Sequence, residues 1–313
     1  MLAVGLAGLA PVGLSGCASA ADPRINTSQT PWQRPGEWLT AAQAEMTLAT
    51  TYAAASTLVQ GGADWCVAAA TLHAAHAVVL TQPDPWGGYT VGPTPAPALL
   101  SSPTSSKDAL DALTQAIGTA SDAANAGLAK AAAGVEALLW ASLQVCCDVD
   151  AAWCADPTIS RTTPIIGSVV PSQITLQTSS DVAAAALDTL NTLVYTLSYA
   201  MGRIDKADPL YQDMATRLAQ TNTLRDGLQA IIRSGGATPA PPNLNYPVPD
   251  GIDSSDVIKA TWGGLEASLG QTYTRLAGTL GGGAAAGIAT QAGDQLARAT
   301  AMGQTISWWP GWA

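Results

Sequence analysis

Phenylalanine is absent from the 313 residues, histidine occurs twice, and glutamate occurs four times, as Glu37, Glu45, Glu136 and Glu266. These shortages exclude a good deal. Without Phe, the bulk of any core must come from Leu and the ten Trp. The thirteen basic residues are scattered and no two are adjacent, so the clustered Lys and Arg that grip a phosphate backbone are missing. The net charge of −10 and a pI near 4.4 point the same way, and no nucleic-acid partner is expected. There is no Gly-x-Ser-x-Gly elbow, no phosphate loop and no dinucleotide fingerprint after a strand, so no reaction is expected. β-Branched runs are scarce as well. What remains is a chain 48% apolar and only 12% charged, rich in Ala, with Pro and Gly between long apolar-periodic segments. That pattern predicts an all-α protein with a sizeable core.

The first sixteen residues carry no charge, and Leu14-Ser15-Gly16-Cys17 follows an apolar run too short to span a bilayer. The stretch resembles the bacterial lipobox, in which small residues fit the peptidase cleft and the cysteine thiol receives diacylglycerol. The resemblance implies a signal peptide over residues 1–16, a lipid on Cys17 and a tether over residues 17–35. The chain would then sit on the outer face of the cytoplasmic membrane, held there by that lipid. It departs from the pattern in having no Lys or Arg before the apolar region. Export makes an even set of cysteines read as disulfides. The candidates are Cys66, Cys146, Cys147 and Cys154, with Cys147–Cys154 and Cys66–Cys146 as the expected pairs. The absence of any Cys-x-x-Cys spacing argues against a zinc cluster built from them.

Pro-rich punctuation divides the rest. An N-terminal helical domain over residues 36–150 is expected to hold helices at 37–60 and 64–81, a long loop at 82–106, and one long helix at 107–148 that bends near Gly127 or Gly134. The loop from Pro83 to Pro103, with Trp86 and Tyr89, is a candidate contact surface. An irregular linker over 151–178 follows. Residues 179–313 then predict four matched amphipathic helices. Asp208 caps the second of these, Pro209 sits in its first turn and Gly235 ends it. A Pro-rich crossover at 237–253 separates the second from the third, and Gly281-Gly282-Gly283 turns the third into a fourth that runs to about Trp308. Short, long and short connections describe a four-helix bundle with one crossover, the ferritin-like connectivity.

The C-terminal half carries Tyr246-Pro247-Val248-Pro249-Asp250, then Leu265-Glu266, Tyr273-Thr274-Arg275-Leu276, and Trp308-Trp309-Pro310-Gly311. In order and spacing, over roughly residues 180–313, these motifs resemble an actinobacterial ferritin-like family of unknown function. Its name raises the question of a di-iron site, which needs Glu on two helices and Glu-x-x-His on the other two. No Glu-x-x-His exists in the chain. Leu190-Asn191 stands where the resemblance would place Glu-His, and Thr221 or Asn222 where it would place His. A bundle without metal is therefore expected, with Glu266 a rim carboxylate paired with Arg225 or Arg275.

The two histidines, His73 and His76, lie three apart on one helix face. Glu45 on the preceding helix and Glu136 on the following one could complete a two-His, two-carboxylate set for zinc or iron. The competing reading makes both histidines structural, on the margin of an apolar stripe. The leading expectation is thus a lipoprotein with no cofactor and a structural or interaction role toward an unknown envelope protein or ligand. The alternatives are a metal-binding or redox protein built on His73 and His76, and a carrier of an apolar ligand between the two helical domains.

Overall fold

Ser105 accepts the backbone N–H of Asp108, Thr178 that of Asp181, and Asp208 that of Leu210, and each begins a helix in this way. The computed structural model describes residues 36–86, 103–157 and 171–312. Cys17 and most of the loop from Pro83 to Pro103 lie outside them. The described residues are all-helical: α1 Gly36–Ala55, α2 Ala63–Thr81, α3 Ser106–Lys130, α4 Val135–Ala155, α5 Ser179–Met201, α6 Pro209–Ser234, α7 Ser255–Leu280 and α8 Gly282–Ala301.

The single long helix expected at 107–148 is two helices. Gly134, at φ 141°, takes a conformation closed to other residues, and its N–H leaves the helix ladder to donate to Gly278 O at 2.8 Å. The turn at 131–134 thus rests on the α7–α8 turn, where Gly282 donates to Ala131 O at 3.0 Å. Restarting at Val135 also carries α4 on to Ala155, past the end expected for the long helix.

The other revision is at the end of α8, expected to reach Trp308. It stops at Ala301, because Gly303 turns left-handed at φ 88°. Gly303 and Gln304 then donate back to Thr300 and Ala299, the two bonds of a Schellman closure. Residues 302–312 continue from α8 as a non-helical strap.

The described residues cluster in one unit with a continuous core. α1 packs on α2 and α3, α3 on α4, α5 on α6 and α7, and α7 on α8, while α4 lies against both α7 and α8. The bulk is Trp, Tyr and Leu, and Trp140, Trp153, Trp309, Tyr52 and Tyr273 are among the largest fully buried side chains. Gly127 on α3 lies directly under the Trp140 indole, where a methyl group would overlap the ring. By length and composition α2, with a mean hydropathy of 1.3, could cross a membrane, yet most of that stretch is packed inside the protein.

The buried histidine cluster, a candidate metal centre

Helices α1, α2 and α4 each bring ionisable groups to one point in this apolar interior. Glu45, His73 and His76 are 1%, 0% and 0% exposed. Glu45 Oε2 lies 2.7 Å from His73 Nδ1 and 3.1 Å from His76 Nδ1. The i, i+3 spacing on α2 sets both rings over the same carboxylate, as the sequence suggests. The ligand-capable atoms of the three residues all lie within 4.8 Å of one another.

The far ring nitrogens are held as well. His73 Nε2 is 2.6 Å from Asp150 Oδ2 on α4, and His76 Nε2 donates to the carbonyl of Trp308 in the strap at 2.8 Å. Tyr52 stacks on His73 with ring centroids 5.7 Å apart, and Trp309 packs on His76 at 4.4 Å.

Glu136 is not part of this cluster. It sits exposed in the first turn of α4 and accepts the indole N–H of Trp140 at 3.4 Å. Asp150, fourteen residues on and about 21 Å along the helix, supplies the second carboxylate instead. Asp150 lies just past residue 148, where the long helix was expected to end, so only the continuation of α4 to Ala155 reveals it. The Trp308 carbonyl is a backbone group, which no side-chain pattern signals.

Among the described residues Cys66, Cys146, Cys147 and Cys154 are free thiols. Cys147 and Cys154 share α4 seven residues apart, about 10 Å along its axis, beyond the Cα separation of about 7 Å that a disulfide bridges. No bond joins Cys66 and Cys146 either. Burial, with Asp150 adding to it, pushes the Cys66 thiol up to about 12. Burial also raises Cys146 and Cys147, with the Asp150 and Glu45 carboxylates contributing. None of these three offers a thiolate near neutral pH.

The charges of the cluster follow from its geometry. Carboxylate and carbonyl oxygens only accept, so with no cation present the ring nitrogens of His73 must both carry protons. Burial alone would lower His73, but Glu45 and Asp150 outweigh it and its pKa is pushed up to about 10. Burial alone would raise Glu45, but His73 and His76 outweigh it and hold its carboxyl down at about 2. An ion ligated by the two Nδ1 atoms and Glu45 would replace protons at that point. The Nε2–H groups would keep their acceptors, a carboxylate and a carbonyl, which are the partners that orient metal-bound histidines. The donor set of two imidazoles and one carboxylate fits zinc or iron(II).

A second buried charged group lies among α6, α7 and α8. Glu266 is fully buried, not on the rim, and its partner is Arg217, not Arg225 or Arg275. Arg217 Nε and Nη2 donate to its two oxygens at 2.7 and 2.8 Å. Trp262 Nε1 donates to Oε1 at 2.7 Å, and Arg217 also bonds Gln295. The guanidinium neutralises the only glutamate of α5–α8.

Comparison of the chain with protein-family models, curated proteins and solved structures found no match.

Proposed function

We propose that this chain is an exported, lipid-anchored envelope protein that binds one divalent transition-metal ion, zinc or iron, through Glu45, His73 and His76. In this reading α5–α8 form a ferritin-like bundle that holds no metal, its interior glutamate being occupied by Arg217. The observation that carries the metal reading is the direction of the two rings. Their near nitrogens converge on Glu45 Oε2, and each far nitrogen has its own acceptor, Asp150 or the Trp308 carbonyl. A pair of histidines placed only to fill a core has no need of that arrangement.

Elemental analysis of the mature chain, purified without tag or chelator, tests this. The expected result is about one zinc or iron per chain, lost in His73→Ala/His76→Ala. Because that variant removes buried groups, Asp150→Asn gives a second readout. It keeps the ligands and should weaken metal affinity about 10–100-fold with the helical circular dichroism unchanged. A folded, metal-free chain that takes up neither ion would overturn the reading. The cluster would then be a set of ion pairs locking α1, α2 and α4, and the interaction role toward an envelope partner would stand in its place.

A further inference from the structure

The ligand residues are sealed, at 0–1% exposure. Neither a substrate nor a solute reaches such a site unless the fold opens, whereas an electron crosses packed protein. Two lines of aromatic rings leave the cluster, and they differ in where they end. From His73 the rings run to Tyr52 (5.7 Å between centroids), Trp153 (6.2 Å) and Trp65 (5.8 Å). That line stops in the interior, for Trp65 is 3% exposed. From His76 they run to Trp309 (4.4 Å), Trp312 (6.3 Å) and Trp86 (6.4 Å), and the last two are partly exposed.

The outer rings are built into place. Trp312 Nε1 donates to Ser172 O at 3.2 Å, Trp86 N donates to Asp84 Oδ1 at 3.0 Å, and Arg275 Nε donates to Gly311 O at 2.7 Å. Trp309 is 0% exposed, and its indole N–H has no partner among the described residues. A buried, unpaired N–H is costly, and an aliphatic side chain would avoid that cost.

We infer that the ion at Glu45, His73 and His76 is iron, and that it exchanges single electrons with acceptors at the protein surface through Trp309, Trp312 and Trp86. This rests on the metal reading above and goes beyond it, since zinc has no redox chemistry. The step is Fe(II) to Fe(III), with one electron passing to an outer-sphere acceptor. No bond to carbon, nitrogen or oxygen forms or breaks, and no proton has to move. Glu45 as a ligand and Asp150 behind His73 favour the higher charge of the oxidised ion. Burial of all three residues, with Tyr52 and Trp309 packed on the imidazoles, excludes solvent from it. The rings serve as the bridge, breaking one long gap into three short ones, and an aliphatic side chain in their place would widen a gap.

The experiment loads the full chain with iron(II) under argon and mixes it with ferricyanide, following ferricyanide loss by stopped flow. Trp312→Leu and Trp86→Leu alter the outer rings and leave the ligand residues untouched. Both should slow oxidation severalfold with iron content and circular dichroism unchanged. Trp65→Leu, on the line that ends inside, should leave the rate as it is. Equal rates for wild type and the Trp312→Leu/Trp86→Leu double variant would sink the inference. A chain that binds zinc but not iron would also overturn it, leaving the metal reading intact, and a chain that binds neither overturns both.

Discussion

His73 is the residue on which the cluster's electrostatics turn, because it faces a carboxylate on each side. In the metal-free chain its pKa is raised, so it stabilises the fold fully below its ordinary value of 6.5, and that contribution is lost as pH rises toward about 10. Glu45 works in the opposite sense. Its pKa is lowered, so its contribution is present above the ordinary 4.5 and disappears as pH falls toward about 2. The metal-free chain should therefore be most stable between roughly pH 4.5 and 6.5, as far as these two groups decide it. Urea midpoints measured from pH 3 to pH 10 check this, and His73→Gln should flatten the alkaline limb. A wild-type midpoint that does not fall above pH 7 would count against the paired imidazolium. Much of this was legible beforehand. The spacing of His73 and His76 and the position of Glu45 follow from helical periodicity in Ala-rich segments. Asp150 did not, because its place depends on where α4 begins, and that is set by Gly134 bonding to α7.

Among the elements, the breaks in the helices decide the site. Helix α6 was legible to its ends, since Asp208, Pro209 and Gly235 are local signals read by local rules. The end of α8 was not. The Trp-rich stretch after it continues an apolar pattern, and a single left-handed glycine outweighs that pattern. Gly303→Ala should cost about 1 kcal/mol through the strained φ and loosen the strap. Metal affinity should fall with it, since the strap holds His76. Thermal melts and zinc titration of this variant, set beside Gly287→Ala, test the point. Gly287 lies inside α8 with open space around it, so the alanine there should be neutral or stabilising. A neutral Gly303→Ala would show that the strap does not depend on that turn.

For the whole molecule, α4 is a shared element, touching α3, α7 and α8. One end of its interior carries the histidine cluster's Asp150, while the ion pair of Arg217 and Glu266 lies within the other set of helices. That pair is a poor source of stability but a costly thing to break. Arg217→Met alone should destabilise by about 3–5 kcal/mol, because it leaves Glu266 charged and buried. Arg217→Met/Glu266→Leu should recover most of the loss, as chemical denaturation of both variants would show. Equal destabilisation by the single and double changes would mean that the pair's geometry, and not its charge balance, matters. The pairing was not legible in sequence because Arg217 and Glu266 are 49 positions apart, on helices joined by the long crossover.

The bond between His76 and Trp308 joins positions 232 apart. Closing so long a loop is entropically costly and comes late, after local helices and hairpins have formed. Until it closes, the ring of His76 lacks the carbonyl that holds its far nitrogen. If the proposed ion binds there, it would be captured tightly only once the most distant contact in the site has closed, so occupancy would act as a record that the chain has finished folding.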